Sequence, residues 1–186
     1  EGGSDAHEAT QAWDRVQVGK GADPEWDAYE VAEFFAGRYE AQLSELRAKD
    51  ADETRWRTTR GGSVEQWRPL GPQMVQAYID WRLRAPYEIW VTPDGVPAIE
   101  LDVSGKLPGC TFETRAYLDR VFYDPNLDSL EIVDIKSGTR KPESPTQFGV
   151  YGALMQLKYD VKVGWGAAFM NRKGILEAPY DLTKYT

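Results

Sequence analysis

The segment Asp134-Ile135-Lys136 places an acid and an amine at a spacing that suits metal-assisted chemistry. Alternate residues of a strand share a face, so the side chains of Asp134 and Lys136 are expected to point together while Ile135 enters the packed side. Because the segment ends an apolar run, both charged groups lose solvation and need partners. A divalent cation on Asp134 and an anionic substrate beside Lys136 would supply them. An ordinary ion pair on a half-exposed strand is the alternative.

A second carboxylate, Asp119, lies in the preceding apolar segment. Asp124-Pro125-Asn126 separates the two segments, which are therefore predicted to pair as antiparallel strands and to bring Asp119 close to Asp134. Two neighbouring carboxylates repel each other unless a cation joins them, and oxygen-rich sites suit Mg²⁺ or Mn²⁺. In the alternative reading, Asp119 is a strand-end residue bonded to Arg120 or to the backbone.

Gln147 and Tyr151 follow at a spacing of four, which places them on one face of a predicted helix. Alone they would be read as a surface pair. The ordered set of motifs resembles the PD-(D/E)xK nuclease superfamily, and within it the RecB-type exonucleases with their CRISPR-associated and phage-encoded relatives. The matching segments are Tyr117-Leu118-Asp119-Arg120-Val121, Asp134-Ile135-Lys136-Ser137-Gly138 and Gln147-x-x-x-Tyr151.

The resemblance implies hydrolysis of DNA phosphodiester bonds by a metal-activated water, with exonuclease action expected. Asp119, Asp134 and the Ile135 carbonyl would hold Mg²⁺ or Mn²⁺. Lys136 would position or deprotonate the water and stabilise the pentavalent phosphorus, and a buried amine beside a metal has a lowered pKa that suits this role. Gln147 and Tyr151 would orient Lys136 or the scissile strand.

Two further residues match the family pattern less closely. His7, the chain's single histidine, corresponds to a metal-binding histidine on an upstream helix, although a solvated histidine would look the same. Glu100 matches an acidic residue on the strand before the core hairpin, where it would bind metal directly, bind through water, or pair within the sheet. Tyr117 stands where the family has Gly. Many relatives also carry an iron–sulfur cluster on four cysteines, which Cys110 alone cannot replace, so no cluster is expected within this chain.

Basic residues suggest where a DNA strand would lie. Aromatic and basic side chains together hold single strands by stacking and by charge. The candidates are Arg55, Arg57 and Arg60 with Trp56 and Trp67, and Arg140 and Lys141 beside the Asp134–Lys136 strand. A solvated loop is the alternative for residues 55–68.

Three helices are predicted upstream of residue 86. Ser4 is expected to cap the first, with Ala6, Ala9, Trp13 and Val16 as its packing side and His7, Gln11 and Asp14 toward its polar side. Asp23-Pro24 is expected to start the second helix. A third is predicted over about residues 72–84.

Downstream of residue 86, apolar residues recur at every second position, which is typical of strands. Strands are predicted over residues 87–92, 97–103, 111–123 and 129–136, then a helix over about 146–158 and a returning strand over 161–170. This order predicts an α/β or α+β domain, and the family resemblance implies that its core is the restriction-endonuclease-like αβββαβ fold. We expect one nuclease domain over 1–186, with a helical N-terminal part (1–69) and a catalytic core (70–186).

Composition narrows the class of protein. The 186 residues are 41% hydrophobic and 28% charged, which excludes a largely disordered chain. One cysteine excludes an internal disulfide and fits a reducing compartment, and no apolar stretch reaches the roughly 18–20 residues of a membrane span. Combined with the family resemblance, these features lead us to expect a protein of a prokaryotic or phage-infected cytoplasm that binds DNA and no membrane. A net charge of −8 argues against non-specific adhesion to nucleic acid but permits a local basic groove.

Two other functions remain open at this point. A nuclease fold that has lost catalysis would serve as a DNA-binding or structural subunit, although the intact acids and lysine argue against this. An acidic protein-interaction domain is the second, because seven tryptophans could form a partner surface.

Overall fold

The computed structural model describes residues 2–18, 28–53, 56, 64–138, 140 and 145–185. Three helices come first: α1 (Gly2–Gln17), α2 (Ala28–Lys49) and α3 (Val64–Arg84). The strands are β1 (Glu88–Ile89), β2 (Ile99–Asp102), β3 (Tyr117–Asp124), β4 (Ser129–Lys136), β5 (Val163–Met170), β6 (Ile175–Leu176) and β7 (Tyr180–Asp181). Helix α4 (Thr146–Tyr159) connects β4 to β5.

The strands form one mixed sheet. Its hydrogen-bonded order is β1-β3-β4-β5-β6, while β2 also pairs with β3 and β7 with β5. Strand β4 runs antiparallel to β3 and parallel to β5. Parallel neighbours need a long crossover, which α4 provides. The predicted order of helices, antiparallel strands, crossover helix and returning strand is confirmed, and the mixed α+β fold is restriction-endonuclease-like.

Strand β4 separates two apolar cores because its side chains alternate between the faces of the sheet. Val133 and Ile135 pack with the buried side chains of α1, α2 and α3. Leu130 and Ile132 pack on the other face with α4. The result is three layers, with the N-terminal helices covering one face of the sheet and α4 covering the other.

The N-terminal helices differ in detail from the sequence expectation. Helix α1 begins at Gly2, so Ser4 lies inside the helix and is not its N-cap. Helix α3 begins at Val64, well before Pro72, and contains both Pro69 and Pro72. Val64, Trp67 and Leu70 pack against the core of α1 and α2, and this burial outweighs the hydrogen bonds that the prolines cannot donate. The predicted boundary between the helical N-terminal part (1–69) and the catalytic core (70–186) therefore lies inside α3.

The strands before β3 are shorter than predicted. The hairpin between β1 and β2 is closed by an isolated bridge from Val91 to Pro97, and β3 begins at Tyr117 instead of Thr111. Strands β6 and β7 were not expected. The start of the second helix at Asp23-Pro24, and Gly19 and Gly21 before it, lie outside the described residues. No helix in the described ranges combines the length and apolar character that crossing a bilayer requires.

Candidate metal centre and active site

Three side chains from three different elements converge at one end of the sheet. His7 Nε2 of α1 lies 2.6 Å from Glu100 Oε1 of β2 and 3.9 Å from Asp119 Oδ1 of β3. One donor atom from each residue lies within 4.8 Å of the others. An imidazole with two carboxylates is a donor set that binds divalent cations, so His7, Glu100 and Asp119 fit a metal ion. We call these three residues the donor triad.

Glu100 enters the triad through an unusual backbone conformation. Its φ of 52° lies in the left-handed region, which residues other than glycine rarely adopt. Ile99 pairs with Arg120 and Leu101 with Leu118, so Glu100 lies across the ladder from Asp119. Such strain costs about 1–3 kcal/mol and is concentrated at functional sites. The observed conformation therefore supports a functional role for Glu100.

Asp119 is held by the neighbouring strand. Its Oδ2 accepts a hydrogen bond of 2.6 Å from the Ile135 N–H. Burial raises the pKa of Asp119 to about 6; the His7 ring opposes this rise, and the negative charges of Asp134 and Glu100 add to it. The predicted closeness of Asp119 and Asp134 is thus present, and the cluster of acids has the electrostatics of a cation site.

Asp134 and Lys136 form a close pair on β4. Lys136 Nζ lies 2.6 Å from Asp134 Oδ2, and the Asp134 side chain is only 8% exposed. Burial alone would lower the pKa of Lys136, but the ion pair with Asp134 and the charge of Asp119 hold this pKa above its ordinary value. Lys136 is therefore protonated in this arrangement.

The pair from α4 joins the same region. Gln147 Nε2 donates a 2.7 Å hydrogen bond to the Tyr151 hydroxyl oxygen. Tyr151 is close enough to Lys136 to contribute to its raised pKa. The helix begins at Thr146, so Gln147 lies in its first turn, which follows the carboxyl end of β4. The structure thus brings together His7, Glu100, Asp119, Asp134, Lys136, Gln147 and Tyr151.

The comparisons with known proteins agree with this arrangement. A family model described as the PD-(D/E)XK nuclease superfamily matches residues 1–177. This chain belongs to that superfamily. The match covers the donor triad and the Asp134–Lys136 pair, together with α4.

Two relatives from mycobacteriophages are also similar. The Gene 69 protein of Mycobacterium phage D29 is 37% identical over 128 residues, which are 66% of this chain and 46% of that protein. The Gene 69 protein of Mycobacterium phage L5 is 32% identical over 147 residues, with 66% and 49% covered. The chain thus spans about half the length of the curated relatives it matches.

A buried acid beneath the site was placed wrongly from the sequence. Asp14 was expected on the polar side of α1, but it is completely buried. It accepts hydrogen bonds from Tyr78 Oη at 2.6 Å, Arg120 Nε at 2.5 Å and Arg82 Nε at 3.2 Å. Arg120, in the apolar central strand β3, indicated that a buried anionic partner is needed, but not which acid provides it.

The basic surface is described only in part. Arg55, Arg57, Arg60 and Lys141 lie outside the described residues, and Arg140 is exposed. Trp56 donates its indole N–H to the Asp50 carbonyl at 3.0 Å. Trp67 stacks with Arg172, whose guanidinium carbon is 5.0 Å from the ring centroid. Arg172, which the sequence reasoning missed, also donates to the Ser137 carbonyl at 2.9 Å, next to the end of β4.

Proposed function

We propose that this protein is a Mg²⁺- or Mn²⁺-dependent deoxyribonuclease that acts as an exonuclease. The observation that carries the proposal is the donor triad placed beside the Asp134–Lys136 pair. A nitrogen and several carboxylate oxygens suit Mn²⁺ at least as well as Mg²⁺. Membership of the nuclease superfamily supports hydrolysis of a phosphodiester as the reaction.

The residues divide into two groups by their chemistry. His7, Glu100 and Asp119 would hold the metal, and Asp134 and the Ile135 carbonyl are further candidate ligands. When bound, the ion would lower the pKa of a coordinated water and offset negative charge on the phosphate. This assignment gives Glu100 a direct ligand role, in place of the two alternatives that the sequence left open.

Lys136 and α4 would act on the substrate. Because its pKa is raised, Lys136 carries an ammonium that donates hydrogen bonds to a phosphate oxygen and stabilises the negative charge that develops there. Lys136 would also position the water that attacks the phosphate, as the family resemblance implies. Gln147 donates a hydrogen bond to the Tyr151 oxygen. The Tyr151 O–H would then donate to the scissile strand or to the part of the substrate beside Lys136.

We also propose a single nuclease domain over residues 1–186, in which the N-terminal helices belong to the same folding unit as the sheet. The shared core of α1, α2, α3 and β4 supports this. The proposed place of action is the cytoplasm of a phage-infected or other prokaryotic cell, and the proposed process is DNA repair or recombination. Two relatives from mycobacteriophages support the phage-infected cell. We propose no iron–sulfur cluster in this chain, since it has one cysteine.

The test is cleavage of end-labelled linear DNA, single- and double-stranded, with Mn²⁺, Mg²⁺ or EDTA. We expect degradation only with metal, and loss of cleavage in Lys136→Ala with the fold intact by circular dichroism. Lys173→Ala is the matched control, because Lys173 pairs with Glu177 on the surface. Covalently closed circular DNA should resist an exonuclease.

Several outcomes would contradict the proposal. Cleavage in EDTA would exclude a metal-dependent enzyme, and full activity of Lys136→Ala would exclude the assigned site. Binding of both Mn²⁺ and DNA without cleavage under any condition would instead favour a catalytically inactive nuclease-fold subunit. Rapid cutting of circular DNA would show an endonuclease.

A further inference from the structure

One buried side chain, Arg120, contacts the donor triad at more than one point. Its Nη1 donates to the Asp119 carbonyl at 2.6 Å and lies 3.5 Å from Glu100 Oε1. Its Nη2 donates to Thr10 Oγ1 at 3.3 Å. Thr10 Oγ1 in turn donates to the His7 carbonyl at 2.7 Å. Arg120 therefore reaches each triad residue, either directly or through Thr10.

We propose that Arg120 is the positioning residue of the metal centre, fixing His7, Glu100 and Asp119 relative to one another. The proposal rests on the metal site proposed above and adds the group that assembles it. Arg120 does not touch the metal or the substrate in this role. It acts through the ligands.

The geometry requires a guanidinium. Thr10 and Arg120 are 110 residues apart in sequence, so the contact between α1 and β3 has to be made by tertiary packing. A guanidinium presents five N–H donors in a rigid fork, and Arg120 uses them in several directions at once. A lysine ammonium is smaller and lacks the fork. Lys at this position would therefore keep the charge but lose some of these hydrogen bonds.

Burial of this charge is made tolerable by Asp14. Arg120 is completely buried, and its Nε lies 2.5 Å from Asp14 Oδ2, which is also buried. A purely structural role would end with this ion pair, whose disruption is strongly destabilising. The contacts to Thr10, Glu100 and the Asp119 carbonyl go beyond that role.

Arg82 offers a matched comparison. It is also buried, it bonds to the same Asp14 through Nε at 3.2 Å, and its Nη1 donates to the Tyr87 carbonyl at 2.9 Å. Within the described residues no hydrogen bond joins Arg82 to the donor triad. A loss of stability should appear in both arginine variants, because both arginines bond to Asp14. A loss of Mn²⁺ affinity should appear only in the Arg120 variant.

The first experiment measures Mn²⁺ affinity by calorimetry for wild type, Arg120→Lys and Arg82→Lys, at a temperature where all are folded. Loss of an outer contact to metal ligands costs about 10- to 100-fold in affinity, so we expect at least a tenfold loss for Arg120→Lys. For Arg82→Lys we expect an affinity close to wild type. Equal affinities in the two variants would overturn the proposal.

The second experiment uses a milder change, because Arg120→Lys can unfold the protein. Thr10→Val removes the link between Arg120 and His7 while nearly keeping the side-chain volume. We expect it to weaken Mn²⁺ binding in wild type and to have no further effect in a His7→Ala background. An equal effect of Thr10→Val in both backgrounds, or no effect in wild type, would overturn the link to His7.

These outcomes separate the inference from the proposed function. If wild type does not bind Mn²⁺, the metal site is wrong and Arg120 has no ligands to position. If wild type binds Mn²⁺ and Arg120→Lys binds it equally well, the metal site stands and the positioning role is refuted.

Discussion

Negative charge dominates the site at the scale of single residues. Glu100, Asp119 and Asp134 bring three carboxylates to one end of the sheet, and Asp134 is already paired with Lys136. Burial makes the remaining charge expensive, which is why the pKa of Asp119 rises to about 6. A divalent cation is the group that would relieve this repulsion. We therefore expect single substitutions of these acids to change the affinity for a divalent metal, and this affinity is the first quantity to measure.

Asp119→Asn should weaken Mn²⁺ binding more than Lys136→Ala does. The first substitution removes a ligand charge, for which we expect a loss of at least about tenfold, as for other contacts at metal sites. The second removes a positive charge that competes with the cation for Asp134. Calorimetric titration of both folded variants with Mn²⁺ measures the difference.

An acid outside the site controls for the change in net charge. Asp94→Asn is suitable, because Asp94 is exposed in the turn before β2. Its Mn²⁺ affinity should equal that of wild type. Wild-type affinity in Asp119→Asn would show that Asp119 is not a ligand.

The residues of the site were unequally predictable from the sequence. Asp134 and Lys136 could be found because a spacing of two in a strand fixes their shared face. The burial of Asp14 could not be found, because Tyr78 and Arg120, its partners, are 64 and 106 residues away. His7 and Glu100 were identified through the family resemblance, since their proximity depends on the packing of α1 against β2.

At the scale of elements, the packing of α1 places His7 beside Glu100 of the sheet. Ala6, Ala9 and Trp13 are buried, so the helix lies closely against α2 and α3 on one side. The three helices therefore share one core, and substitutions at their close contacts test how tightly this core is packed.

Gly71→Ala should destabilise the protein. A Cβ on Gly71 of α3 would lie 1.8 Å from the Phe35 ring of α2, and Phe35 is buried. Overpacking of this kind typically costs about 1–3 kcal/mol, which exceeds the roughly 1 kcal/mol that alanine contributes over glycine in a helix. Urea denaturation measures the free energy of unfolding.

Gly37→Ala is the matched control for this prediction. Gly37 lies in α2, and nothing approaches its added Cβ within 4 Å. Helix propensity alone then predicts a stabilisation of about 0.5–1 kcal/mol. A stabilised Gly71→Ala protein would mean that α2 and α3 can separate at little cost.

Element boundaries were predictable where local pattern and tertiary packing agree. Strand β4 matches the sequence prediction at both ends, and α4 matches within one residue at its end, because turns or polar residues flank each apolar run. The predicted start of α3 near residue 72 is wrong, because packing of Val64 and Trp67 extends the helix upstream of both prolines.

At the scale of the whole molecule, the pH dependence of stability includes an acid that the sheet buries away from the donor triad. Glu131 of β4 is almost fully buried and lies opposite Phe122 in the ladder. Burial raises its pKa, the charge of Asp124 raises it further, and a hydrogen bond from the Tyr87 hydroxyl opposes the rise. The folded protein therefore binds a proton at Glu131 more tightly than the unfolded chain does.

The sign of the pH dependence follows from this difference in proton binding. When the folded state holds the proton more tightly, the free energy of unfolding falls as the pH rises from the ordinary value of 4.5 through the raised pKa. Above that range the full penalty of a buried carboxylate is present. Below 4.5 both states are protonated and the penalty is absent.

Glu131→Gln should therefore make the protein more stable at pH 7. Gln keeps an oxygen that accepts the Tyr87 hydrogen bond and removes the buried charge, so the gain should disappear as the pH falls below about 4.5, where Glu131 is neutral in both states. Urea denaturation of wild type and variant at a series of pH values measures the difference. Glu113→Gln is the control, because Glu113 is exposed before β3 and should change stability little at any pH. If the two unfolding free energies differ by the same amount at pH 4 and pH 7, Glu131 does not carry a raised pKa in the folded protein, and the pH dependence of stability has another source.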